Sequence, residues 1–304
     1  LFMGSQVGGL NVDDDGALKE GLKMVSESKV PLAVHAEDRL MLFANEEKLK
    51  HAKKQGIADF LRAHTEVVEL KAIQRLLKLS QQTELNIHFC HVTSKEGLNA
   101  ILEAKKAERK GRVTCEVTPN HLLLSSEDVK QLGAISIMAP PLREKTHRDT
   151  LWKGIGEGKV DTIGSDHAPH TIEEKSAGDI WEVKVGVPGL ETTLPLMMTL
   201  VRQKRLSLNQ VVELLAENPA QIFGLTDRGI LEVNKNADLT IIDYNHQFKI
   251  DPSRFKSKAK FSPFNGWEVY GKPVKTIVNG LVVFEDGDII AKGGSGAVIR
   301  GGDV

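Results

Sequence analysis

Residues 84–97 read ELNIHFCHVTSKEG, and the fold turns on how that stretch is parsed. Leu85, Ile87 and Phe89 alternate with polar or smaller residues, the two-residue period of a strand, and the run ends on His91. On one side of it, Glu66–Leu79 carries Val67, Leu70, Ile73 and Leu77 at helical spacing; on the other, Glu96–Arg109 reads as a second helix. A strand enclosed by helices is a βα unit. Working outward, the same text recurs. Ala17–Ser28 (Leu18, Leu22, Val25) precedes the short apolar run Val30–Val34, which stops at His35. Arg112–Val117 reads as a further strand, Arg148–Glu157 as a helix, and Val160–Ser165 as a strand running into Asp166.

Repeated βα units predict a parallel sheet covered by helices, with polar residues collected just past the strand ends, as on the catalytic rim of a (β/α)8 barrel. Four strands are legible, and the apolar stub Leu1-Phe2-Met3 reads as the end of another before the Gly-rich Gly4–Gly9. A barrel needs eight. The fold is therefore either an open sheet or the second half of a barrel whose first half lies outside this sequence. After helices at Leu196–Lys204 and Leu208–Glu217 the texture changes to short β-rich runs, Ala237–Asp243 and Val274–Phe284, separated by Gly, Asn, Asp and Pro. The expected division is 1–224 as α/β barrel half and 225–304 as a small C-terminal β module.

Composition narrows the function classes. The chain has 304 residues, 40 Lys+Arg against 41 Asp+Glu, and a net charge of −1 with no basic tract, so a nucleic-acid partner is not implied. There is no apolar run long enough to span a membrane and no leader pattern, which predicts a soluble, cytoplasmic protein. Cys90 and Cys115 fall in apolar segments far apart, as expected of reduced buried thiols.

A lone strand-end histidine is more often structural than catalytic, and His51, His64, His88 and His246 are read that way. His35, His91 and Asp166 differ because they occupy matching positions after three strands, and imidazole nitrogen with carboxylate oxygen is a catalytic zinc donor set. Two histidines and one aspartate make part of such a site. Pro140-Pro141 and Gly186-Val187-Pro188-Gly189 read from composition alone as a stiff turn and a loop that permits close backbone approach.

Taken in order, VHAED, CHVTSKEG, VTPNHLLL, APPLREK, GSDHAPHTIEEK, GVPGLETTLPL, ENPAQIFGL and KNADLTIID resemble the dihydroorotases of the amidohydrolase superfamily, in spacing as well as content. The resemblance implies a (β/α)8 barrel with two zinc ions and reversible cyclisation of N-carbamoyl-L-aspartate to L-dihydroorotate in pyrimidine synthesis. It implies that His35 and His91 bind one zinc, that Asp166 binds the other and shuttles the proton, that His170 binds the substrate carboxylate, and that Val185 and Gly186 contact the ring. It further implies a His-x-His pair and a bridging carboxylated lysine upstream, the lysine just before Leu1. Where many dihydroorotases have a substrate-binding Asn, this sequence has Ala139, a small residue as in allantoinases. Allantoinase or another cyclic-amide hydrolase is thus the alternative, and an inactive scaffold for aspartate transcarbamoylase is the non-enzyme alternative. A homodimer and association with aspartate transcarbamoylase are left open as partners beside the small-molecule substrate.

Overall fold

In the computed structural model the described residues are 1–4 and 13–299; most of the Gly-rich stretch Gly4–Gly9 and the last five residues lie outside them. The first compact unit comprises Leu1–Gly189 with Ser253–Pro263. Its elements run α1 (Asp15–Glu27), β1 (Leu32–Val34), α2 (Arg39–His51), α3 (Ile57–Ala63), α4 (Glu66–Leu79), β2 (Ile87–Phe89), α5 (Lys95–Lys106), β3 (Val113–Val117), α6 (Pro119–Leu123), α7 (Val129–Leu132), α8 (Lys145–Gly156) and β4 (Thr162–Ile163).

The four strands form one parallel sheet in the order β1-β2-β3-β4, with Val34 beside Phe89, Phe89 beside Cys115 and Val117 beside Ile163. Leu1–Met3 extends this sheet: Phe2 pairs in parallel with His35, and Met3 N donates to His35 O at 3.0 Å. Because all strands run one way, their C-terminal ends share one rim, and His35, His91, Glu116 and Asp166 collect there. The covering helices are held by burial: Val68, Ala72, Ile73 and Leu76 of α4 and Ile101 of α5 are fully buried. Each large side chain of this kind contributes ~1.5–3 kcal/mol of transfer free energy. Caps fix where the helices begin. Asp38 accepts from Met41 N ahead of α2, Ser94 from Gly97 N ahead of α5, and Thr118 from His121 N ahead of α6.

The expected α/β sheet is present, but its four strands and the Leu1–Met3 extension do not close into a barrel among the described residues. Sequence periodicity also passed over α2, α3, α6 and α7. Of these, α2 buries only Leu42, so its apolar stripe is too narrow to register as a period.

The second compact unit comprises Leu190–Pro252 and Phe264–Val304. It contains α9 (Leu190–Arg202), α10 (Leu208–Val212), a π turn at Glu213–Glu217, α11 (Asn218–Ile222), and an antiparallel sheet β5 (Leu239–Lys249), β6 (Glu268–Val278), β7 (Leu281–Glu285) and β8 (Asp288–Ile289) in sequence order. Helix α9 packs on β6. Gly271, at φ +82°, leaves room for Met198, whose Cβ would lie 2.4 Å from any added Cβ. Compactness thus groups the helices from Leu190 with the C-terminal sheet, whereas composition drew the line at 224/225.

Candidate active site

The site is built on strand ends whose backbone is strained. His91 (φ +37°) and Asp166 (φ +43°) both adopt the left-handed conformation, unusual for side chains of this size and concentrated at functional positions. The turn at each residue redirects the chain at the sheet rim. The β2–α5 turn after His91 is held by Glu69, buried in α4, which accepts from Thr93 N (3.2 Å), Ser94 N (3.1 Å) and Ser94 Oγ (2.8 Å). Arg143 locks the same turn, its Nε donating to Thr93 Oγ1 at 2.9 Å and its guanidinium to the His64 carbonyl.

His35 Nδ1 and His91 Nε2 stand 3.2 Å apart. The other nitrogen of His35, Nε2, lies 3.0 Å from Glu37 Oε2. An ionised carboxylate only accepts, so Nε2 carries the proton and Nδ1 presents its lone pair toward His91. Glu37 is 1% exposed and its second oxygen accepts from His64 Nδ1 at 2.8 Å. Burial would raise this carboxyl, but His64 and His35 outweigh it and hold Glu37 well below the usual carboxylate range. His91 is buried; desolvation, followed by the neighbouring His35, lowers its pKa, so the ring is a neutral donor. Its Nδ1 is buried with no hydrogen-bond partner among the described residues.

These features fit two ligands of a metal centre. Two nitrogens bound to one tetrahedral zinc at 2.0–2.1 Å stand about 3.3 Å apart, close to the observed separation. A carboxylate behind a ligating histidine is also the usual outer support. Among the described residues no three His, Cys, Asp or Glu side chains gather into a complete metal-binding group. Both thiols are free, and burial foremost pushes Cys90 and Cys115 up to about 12, leaving them protonated.

A cavity of about 380 Å³ opens over this rim. His35, His91, Asp166, Ala139, Val185 and Gly186 all line it, six of the seven residues singled out from sequence. The seventh, His170, is outside the lining, with Nε2 3.2 Å from Val185 O and Nδ1 3.3 Å from Glu174 Oε2, so it reaches the cavity through Val185. Gly186 is required where it stands. At φ +137°, an added Cβ would lie 2.6 Å from the Ala168 carbonyl oxygen. His167 Nδ1 accepts from Gly189 N at 3.1 Å. Sequence reading missed the apolar wall of Phe60, Ile180, Trp181 and Val183, and the roles of Glu37 and His64. The VHAED motif contained the signal for Glu37; nothing in the sequence brings His64 to it.

An amidohydrolase family model matches residues 11–283. The chain belongs to the amidohydrolase family. Relatives include an L-hydantoinase of Paenarthrobacter aurescens, 35% identical over 98% of this chain, and a dihydroorotase of Geobacillus thermodenitrificans, 38% identical over 92%. The chain spans 66% and 64% of those relatives' length, under two thirds. The solved L-hydantoinase (dihydropyrimidinase) from Arthrobacter aurescens superposes with a TM-score of 0.90 at 35% identity, covering 96% of this chain and 65% of that one. A D-hydantoinase from Thermus sp. also gives 0.90, at 26% identity over 98% of this amidohydrolase chain and 66% of its own. No helix among the described residues is long and apolar enough to cross a membrane.

Proposed function

We propose that this chain is the part of a cyclic-amide hydrolase that holds one histidine pair, the catalytic carboxylate and a wall of the substrate pocket, and that the whole enzyme is a dihydroorotase. The observation that carries the reading is the convergence of His35 Nδ1 and His91 Nε2 at 3.2 Å on a cavity that Asp166 also lines. In this reading residues 1–224 are the second half of a (β/α)8 barrel, 225–304 are a β module, and the remaining ligands are supplied from outside this sequence. His35 and His91 would hold one zinc and Asp166 the other. Bound zinc supplies a Lewis acid for the ring carbonyl and lowers the pKa of water toward neutrality.

The protein groups do the rest. Glu37 keeps the His35 proton on Nε2, so Nδ1 stays a donor. Asp166 takes the proton of the attacking water and returns it to the departing ring nitrogen, general base and then general acid. His170, held beside Val185, meets the substrate carboxylate, and the Val185-Gly186 backbone faces the ring. Dihydroorotases at 34–38% identity support this choice, as does the retained ligand set, which favours an enzyme over a scaffold for aspartate transcarbamoylase.

A second substrate reading rests on one observation. Ala139, Phe60, Ile180 and Trp181 make much of the wall apolar, which suits a hydantoin-type ring bearing an apolar substituent better than a carboxylate. The test is turnover by the full-length protein of dihydroorotate, allantoin and a 5-arylmethyl-hydantoin, with zinc measured in parallel. Preference for dihydroorotate is expected. Preference for the hydantoin would overturn dihydroorotase and keep cyclic-amide hydrolysis, and turnover of none would overturn both.

A further inference from the structure

Lys175 is 1% exposed, and its ammonium is spent entirely on main-chain carbonyls: Ile137 O at 2.8 Å, Lys184 O at 2.8 Å and Gly186 O at 3.0 Å. Three donors meet three acceptors, the full capacity of the group. The Phe261 ring centroid lies 5.9 Å from Nζ, and among the described residues no carboxylate pairs with it. Burying an ammonium without a counter-ion is costly, and in a site that only needed filling an apolar side chain would serve better. Burial lowers the lysine to about 8, above neutrality, so the three protons are present to donate.

The three carbonyls belong to two segments that reach the cavity lining at Ala139 and at Val185-Gly186. Ile137 lies two residues before Ala139, and Gly186 follows Val185; Gly186 N donates to Ile137 O at 3.0 Å, so the Ile137 carbonyl is shared by Lys175 and Gly186. His170 bonds to the Val185 carbonyl between the two that Lys175 holds, at Lys184 and Gly186. Resting on the reading of this cavity as the substrate pocket, we propose that Lys175 is a positioning residue: its ammonium ties the Ile137–Ala139 wall to the Lys184–Gly186 wall and so sets the backbone that meets the substrate ring. It acts through those carbonyls and touches neither the histidine pair nor Asp166.

The test compares Lys175→Met and Lys175→Arg with the wild-type full-length protein, using the cyclic amide that the wild type turns over fastest. Zinc content and kcat are expected to stay within about threefold, while KM rises about tenfold in Lys175→Met, the scale of one lost hydrogen bond to a charged group. The guanidinium keeps the charge and some of the N–H donors but, being planar, cannot reproduce three tetrahedral ones, so Lys175→Arg should raise KM less than Lys175→Met does, again with kcat held. It decides the matter alone if Lys175→Met does not fold. An unchanged KM, or a fall in kcat with KM constant, would overturn the proposal. If the wild type turns over no cyclic amide, the functional reading fails and amide exchange decides this one. Exchange at Gly186 should then speed up in Lys175→Met while the amides of β1 and β2 keep their protection, and unchanged exchange at Gly186 overturns it.

Discussion

His35 Nδ1 faces His91 Nε2 across 3.2 Å, each residue at the end of its own parallel strand and 56 positions apart in sequence. Among the described residues neither of these nitrogens has another partner; His35 Nε2 is on Glu37, and His91 Nδ1 is buried without one. Replacing either histidine by Ala in the full-length protein should remove one zinc from the two expected, with the fold retained by circular dichroism. Glu37→Gln keeps the volume but accepts more weakly, and should lower zinc affinity by about 10–100-fold. Competition with a chromogenic chelator measures it, and equal affinity would separate Glu37 from metal binding.

Asp166 lines the cavity in a left-handed conformation, and the proposed function makes it the proton shuttle. Asp166→Asn should lower kcat by about 10²–10⁴-fold. Steady-state kinetics settles it, and kcat within threefold of wild type would remove Asp166 from acid–base chemistry.

His170 is tied to Val185 O and to Glu174 rather than projecting into the cavity. Glu174 in turn is held below the usual carboxylate range, chiefly by the Thr171 N–H and also by His170. If His170 serves the substrate carboxylate, His170→Ala should raise KM for dihydroorotate about tenfold, the scale of a charge-assisted hydrogen bond. KM for a hydantoin lacking a carboxylate should stay unchanged. Equal rises for both substrates would assign His170 to the Val185 wall alone.

His121 gives a pH dependence whose sign is fixed. It is buried, with Nδ1 2.8 Å from Thr118 Oγ1 and Nε2 3.0 Å from Pro140 O, both bonds satisfied by the neutral ring. Burial depresses it from 6.5 to about 3. Between those values the unfolded chain binds a proton that the folded chain refuses, so stability falls as pH drops from about 6.5 toward about 3. His121→Gln keeps a donor and an acceptor without a titrating ring. Its Tm deficit relative to wild type should be largest near pH 7 and shrink toward pH 4; a deficit independent of pH would refute the assignment.

The sequence by itself determined the order of βα units and the strand-end position of His35, His91 and Asp166, because strand and helix periods are local and a parallel sheet puts every strand end on one rim. It also marked Gly186 as a loop glycine that permits close backbone approach, but that the close neighbour is the Ala168 carbonyl only the fold decides. Tertiary structure decided what those residues do to one another. The Glu37–His64 bond, the Ile137 carbonyl on Lys175 and the place of Trp181 in the cavity wall, with its Nε1 on Lys54 O at 2.8 Å, all join segments tens of residues apart. No local period encodes such contacts. They arise because a buried proton donor must find an acceptor wherever the fold brings one, and only the packed chain says which.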